Sequence, residues 1–292
     1  MMRGVLLLLL SALAFTLSTV FAKLVNRGSS ISGIEISFFR FCAGLLFVSL
    51  YLLRSRVNIR PNNLRYVLLR AGFNTIAVLL FFTGIQYTTV TNANMLNMTY
   101  PAFVFILAPF INKEKGKYIH ILFLLMTLAG TYLIIFPDFN TINPGDLYAF
   151  LSAIAAGFAL TTLREARKYD SSATILFHLM LIGAAISFVL MLPSFIIPRG
   201  IILVYLLLSA VTAVVGQGAI TVGFRFINAA PGSLVSSSRI LFAAALGIAI
   251  FGDPLNTHIL CGGTLILISL IGTSRIWEWF SGRKQRVTSS SH

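Results

Sequence analysis

Arg239 lies well inside one of the most apolar stretches of this chain, with Ser236 three residues before it, Gly232 seven before and Ala243 four after. At helical spacing these residues share one face. A guanidinium on a face of small residues suits two-pronged binding of a carboxylate or phosphate. The competing reading is an arginine satisfied by backbone carbonyls or by a partner side chain. Asn94, Asn97 and Pro101 follow one another along one face at spacings of three and four residues. A proline donates no hydrogen bond, so it releases the Asn97 carbonyl and kinks its helix. Polar groups exposed in that way can line a cavity, or they can glue helices together. Asn74 stands near Phe81 and Phe82, Gln217 lies four residues before Thr221, and Tyr100 adjoins Pro101. Arg40 has Gly44 one turn away, which leaves room for an approach. Arg70 is nearer a helix end and reads more simply as a side chain snorkelling to the interface. With 25 phenylalanines in the chain, any single one reads first as lipid contact or packing. The candidate binding set is therefore Arg239, Ser236, Asn97, Asn94, Tyr100, Asn74, Phe82, Gln217 and Arg40, with Pro101 and Gly232 as candidate hinges.

Other chemistry is poorly supplied. Metal ligands at recognisable spacing, glycine-rich phosphate loops and nucleophile–base pairings are absent from the sequence, so no enzyme, cofactor or metal site is expected. Cys42 and Cys261 both fall inside apolar stretches and suggest no disulfide framework. Glu35 and Asp146 stand at the starts of stretches, and no acidic residue occupies the middle of one. A carboxylate proton relay is therefore not expected. His178, also within a stretch, reads as a neutral, hydrogen-bonded ring.

These residues must be positioned by helices in a bilayer. Ten apolar stretches run through residues 4–25, 34–53, 64–85, 89–111, 118–136, 146–163, 172–192, 201–224, 230–251 and 257–276. About 20 apolar residues suffice to cross the hydrocarbon. The chain is 57% hydrophobic and 10% charged, against about 25% charged in an ordinary soluble domain. Long uninterrupted runs predict helices rather than a barrel, whose strands alternate. The small-residue pairs Ala243/Gly247, Ala245/Ala249 and Ala153/Gly157 predict that the sixth and ninth stretches lie deep in the bundle or at sliding contacts. The beginning, Arg3 followed by an apolar run and Ser11-Ala12-Leu13-Ala14, also has some signal-peptide character. The basic tail argues against that alternative, since cleavage would leave the termini on opposite sides.

The net charge of +14 is distributed by topology. With the N-terminus cytoplasmic, the inner loops hold Arg3, Arg54, Arg56, Arg60, Lys113, Lys115, Lys117, Arg164, Arg167, Lys168, Arg225 and the basic tail; the outer ones hold Arg27 and Arg199, with Lys23 nearby. This predicts both termini cytoplasmic and contact with anionic lipid. Basic residues scattered over short loops do not make a nucleic-acid face.

The halves of the chain resemble each other. Leu10-Ser11-Ala12 matches Leu151-Ser152-Ala153, and Lys23 and Arg164 each follow the serine by twelve residues. Gly84 and Gly223, and likewise Glu114 and Asp253, stand 139 residues apart. Leu128-Ala129-Gly130-Thr131 matches Leu270-Ile271-Gly272-Thr273. Five helices per half is an odd number, so the second half must be inverted, an arrangement typical of secondary transporters.

With these halves, Phe38-Phe39-Arg40-Phe41 in the second helix, and the segments from Pro101 to Glu114 and from Ile240 to Asp253, the chain resembles the drug/metabolite transporter superfamily in its EamA-like branch. The second half departs from that pattern: Ile240 stands where a proline would align, and Asp253 replaces the usual glutamate. The resemblance implies an all-α membrane protein of ten transmembrane helices in two inverted five-helix repeats, 1–137 and 138–278, with a cytoplasmic tail 279–292. It implies a multi-pass protein of the bacterial inner membrane, monomeric or weakly dimeric. The expected function is secondary transport of a small organic metabolite bearing a carboxylate or phosphate, of the amino-acid or organic-anion class. The expected mechanism is alternating access at a midplane cavity, without a cofactor. A channel-like facilitator and a non-transporting scaffold are the alternatives.

Overall fold

The computed structural model describes residues 2–55, 57–88, 90–114, 118–135, 144–251 and 255–274. All regular structure there is helical: α1 Met2–Gly28, α2 Gly33–Ser55, α3 Leu64–Tyr87, α4 Val90–Asn97, α5 Tyr100–Ile111, α6 Tyr118–Ile135, α7 Pro144–Tyr169, α8 Ser172–Met191, α9 Gly200–Gly223, α10 Ala229–Ser236, α11 Arg239–Phe251 and α12 Thr257–Ser274. Nine spans among these residues are long and apolar enough to cross a membrane, and Thr257–Thr273 is a shorter apolar helix. A helix satisfies its own backbone groups, which hydrocarbon cannot do for it. Caps finish the polar ends: Ser171 Oγ accepts from Thr174 N at 3.1 Å, and the Asp170 carboxylate accepts from Asn62 N and Asn63 N, tying the entry of α3 to the exit of α7.

The fourth and ninth apolar stretches are not single kinked helices. Each is two half-helices, α4 and α5 broken at Met98–Thr99, and α10 and α11 broken at Ser237–Ser238. Shifted by 139 residues, α4 falls residue for residue on α10. Proline cannot be the common cause, because Ile240 stands at the place of Pro101. In the second half the backbone tightens instead, with Ser237 N bonding Leu234 O at 3.2 Å, Ser238 N bonding Val235 O at 3.1 Å and Ile240 N bonding Ser237 O at 3.1 Å. Serines compete for backbone partners and so tolerate such a turn.

The packing repeats with the sequence. α3 lies along α7 as α1 lies along α9, while α2 packs on α8 and α6 on α12. Phe41 covers Gly183 and Met180 covers Gly44, and the members of each pair, Phe41 with Met180 and Gly44 with Gly183, are 139 residues apart. Gly84 abuts the backbone of Gly145 and Gly223 abuts Gly4. The two inverted five-helix repeats are thus legible in the contacts. Their division at 137/138 lies outside the described residues, as do Asp253 and the tail 279–292.

Two polar seams hold the long helices in register. Ser18 and Ser209 exchange hydroxyl-to-carbonyl bonds at 2.8 Å each way between α1 and α9, and Thr127 meets Ser269 at 2.7 Å between α6 and α12. At the α6–α12 crossing a Cβ on Gly130 would lie 2.6 Å from Gly262 O, and one on Gly262 would lie 2.5 Å from Gly130 O. Two backbones in contact cannot yield cheaply. Gly262→Val is therefore expected to destabilise the bundle by about 1–3 kcal/mol, read as a lower unfolding midpoint of the purified protein; an unchanged midpoint would contradict the close crossing.

One packing expectation needs correction. The sixth stretch is deep, with Ala153 wholly buried and Phe103 resting on Gly157. The ninth is deep only in its first half. Every residue of α10 is buried, whereas Ala243, Ala245 and Ala249 of α11 are exposed. The small face of α11 borders a cavity walled on its other sides by α1 and α6.

Candidate functional site

Both helix breaks point at a cavity of ≈ 160 Å³ enclosed by α1, α2, α3, α7 and α9. A break places backbone and side chains at bilayer depth where they face protein rather than lipid. The half-helices deliver Asn97, Met98 and Tyr100 from the first break, and Ser236 and Arg239 from the second. The Tyr100 hydroxyl reaches across to Ser233 O at 3.3 Å, so the two breaks meet.

Eight of the nine candidate binding residues line this one space: Arg239, Ser236, Asn97, Tyr100, Asn74, Phe82, Gln217 and Arg40. Arg239 donates from Nη2 to Thr19 Oγ1 at 2.8 Å and stands 5.9 Å over the Phe15 ring. Arg40 stands 5.7 Å over the Phe82 ring. Asn97 Nδ2 donates to Ser152 Oγ at 2.8 Å, which ties α4 to α7. The lining contains no carboxylate. Among the described residues the ion pairs are Arg164–Glu114 and Lys168–Glu165, so no arginine of the cavity is neutralised by an acid.

Several expectations change. Asn94, one turn before Asn97 on the same half-helix, lines the adjoining cavity rather than this one, and the break separates both from Pro101. Pro101 is buried in the first turn of α5 and the break precedes it. Gly232 lies inside α10, against Phe224 and Ile227, five residues before the break, so it is not at the bend. His178 is the hydrogen-bonded ring expected, on the Thr174 carbonyl at 2.9 Å and away from the cavity. Arg70 does not snorkel. It is 2% exposed, lines the cavity, donates from Nη1 to Ala159 O at 3.1 Å and leaves Nε without a partner. The sequence reading also passed over the α1 wall, Ser11, Phe15 and Thr19. Their spacing of four was the available signal, masked by the leucine run before them. Gln217 Nε2 and Ser236 Oγ are buried without partners, so the cavity offers donors in search of an acceptor.

The second cavity, ≈ 440 Å³, shares Arg239, Thr19 and Met98 with the first, so the two adjoin there. It continues along the Thr16, Val20 and Lys23 face of α1 toward the end where α12 begins. The opposite end of the bundle is tied together. Arg164 Nε meets Glu114 Oε1 at 3.1 Å, its Nη1 bonds Phe224 O at 2.9 Å, and its Nη2 bonds Asn228 Oδ1 at 2.9 Å. Glu114 Oε2 accepts from Ala229 N at 2.8 Å, at the start of α10. Two residues singled out by the repeat thus clamp α5, α7 and α10 together.

Apolar spans folded around an internal cavity, with a broken helix from each half facing it, are the arrangement of a membrane transporter. The chain belongs to the EamA-like transporter family, which it matches over residues 2–136 and again over 143–275, one repeat each. It is 24% identical over 275 residues to the pseudopaline exporter CntI of Pseudomonas aeruginosa, covering 93% of this chain and 96% of that one. It is 26% identical over 299 residues to solute carrier family 35 member G1 of Mus musculus, covering 96% and 80%. It is 26% identical over 220 residues to the riboflavin transporter ImpX of Fusobacterium nucleatum, covering 70% and 72%. A solved crystal structure has the same fold, with a TM-score of 0.79 at 13% identity, covering 96% of this chain and 98% of the other. The protein is a multi-pass membrane transporter and not an enzyme.

Proposed function

We propose that this transporter carries a small organic anion, bearing a carboxylate or phosphate, by alternating access at the midplane cavity. The observation that carries this reading is the cavity's charge: Arg40, Arg70 and Arg239 line it and no carboxylate does. Ionisable groups at bilayer depth cost about 2.5–3.5 kcal/mol each on insertion scales, and a bound anion would offset part of that cost. Arg239 and Ser236 come from one repeat and Arg40, Arg70, Asn74 and Asn97 from the other, so an anion held among them would feel any rocking of one half against the other. The clamp at Glu114 and Arg164 closes one end, while the larger cavity continues from Arg239 toward the other. That asymmetry fits a form open toward the Lys23 end. The basic loops favour an inner-membrane orientation with both termini cytoplasmic, which would make the clamped end the cytoplasmic one. The cavity lies within one chain, so a monomer is a sufficient unit. With no acid in its lining, exchange or facilitated diffusion is favoured over proton coupling. Relatives named for exporting pseudopaline and for transporting riboflavin also handle organic molecules, though their cargoes differ.

The test is a thermal-shift screen of anionic, neutral and cationic metabolites on purified protein, followed by proteoliposome uptake of the hits. Saturable, stereoselective flux of an anionic metabolite is expected. Hits confined to neutral or cationic compounds would overturn the anion reading, and non-saturating flux would favour a channel.

A further inference from the structure

The three cavity arginines are not equivalent, and their anchors set them at two levels. Arg239 stands over Phe15, and Phe15 shares a small side pocket of ≈ 30 Å³ with Arg40 and Gln217. Arg40 and Arg239 thus approach one region from opposite repeats. Arg70 is anchored elsewhere, on the Ala159 carbonyl of α7. Phe82, which supports Arg40, is eighteen residues beyond the start of α3 at Leu64. At 1.5 Å per residue that is a height of about 27 Å. Ala159 is ten residues before the end of α7 at Tyr169, at the same end of the bundle; its height is about 15 Å. The anchors are therefore roughly 12 Å apart along the bundle axis. The two anion-binding levels are thus separated along the axis, within a cavity of ≈ 160 Å³ that admits only a small molecule to both.

Charge leads to the same place. A single carboxylate bound by Arg40 and Arg239 leaves the Arg70 guanidinium buried and without an acid, its Nε unpartnered. Uncompensated buried charge is the costly case. We propose that the cavity selects substrates with two anionic groups, one gripped between Arg40 and Arg239 and the other met by Arg70, with a short carbon skeleton between them. Small diacids and phosphorylated acids have that chemistry and fit ≈ 160 Å³. This rests on the reading of the cavity as an anion site.

The experiment titrates the purified full-length protein with succinate and glutarate, and with propionate and butyrate, the same skeletons lacking one carboxylate. The readout is the rise in unfolding midpoint. The diacids are expected to half-saturate at concentrations at least about tenfold below their monoacid partners, a difference of about 1.4 kcal/mol. Arg70→Gln is expected to bring that ratio close to one, and Arg70→Lys to restore part of it. Equal half-saturation of diacid and monoacid by the wild-type protein overturns the proposal without any variant having to fold. So does an absence of stabilisation by either diacid. In both cases the anion reading is judged separately, by whether Arg239→Ala abolishes the response to whichever anion the metabolite screen returns.

Discussion

Arg239→Ala is expected to reduce proteoliposome uptake by at least about 30-fold, since truncating one partner of a desolvated, hydrogen-bonded charge pair costs about 2 kcal/mol or more. The unfolding midpoint should hardly move. Within the resting protein this side chain is half-buried and donates a hydrogen bond to Thr19. It opposes no acid, so its loss leaves no orphaned carboxylate behind. Alanine at this position also removes a cation that hydrocarbon penalises. Stability and transport should therefore separate, which a purely structural arginine would not allow. Arg239→Lys keeps the charge and loses the planar fork, and should fall between the two. Undiminished uptake by the alanine variant, at equal incorporation, would remove this residue from the binding site.

Arg164→Ala is expected to open the clamped end. The side chain joins α7 to Glu114 at the end of α5, to the carbonyl of Phe224 at the end of α9 and to Asn228 just before α10. Hydrogen bonds to charged groups are each worth about 1.5–3 kcal/mol, so loss of even one net bond should raise the population open at that end by at least about tenfold. The reporter is Ser236→Cys in a background with Cys42 and Cys261 changed to serine, labelled by a membrane-impermeant thiol reagent. Ser236 is buried at the cavity wall. Its labelling from the side that carries Glu114 should accelerate at least about tenfold in the Arg164 variant. Glu114→Gln should act in the same direction, since it removes the ion pair and weakens the cap on Ala229. Labelling that stays slow in both variants would show that packing, not this clamp, seals the end.

Much of this could be read from residue order. Hydropathy marks the spans, because hydrocarbon leaves few alternatives to a helix. The repeat was legible because Gly84 and Gly223, like Glu114 and Asp253, keep one offset. Eight cavity residues were legible because a polar side chain inside an apolar span has few places to go. What was not legible has identifiable causes. Periodicity assumes an unbroken helix, so it joined Asn94 to Pro101 and Gly232 to Arg239 on faces that the breaks at Met98–Thr99 and Ser237–Ser238 divide. The second break has no proline to announce it. Distance from a helix end suggested that Arg70 would snorkel, but α7 packs along α3 there and offers the Ala159 carbonyl. The role of Arg164 depended on three segments converging, which no local pattern encodes.

The matched breaks carry a further consequence. α4–α5 and α10–α11 are two copies of one motif caught in different settings: α5 is held between α7 and α10, while α11 packs on α1, touches α6 and α12 only sparsely and borders the larger cavity. Each copy is therefore a template for its sibling. If the halves trade postures, the snug seat of α5 describes where α11 comes to rest, and the slack around α11 describes what α5 is given. On that condition the other posture of the transporter follows from this one by exchanging the halves.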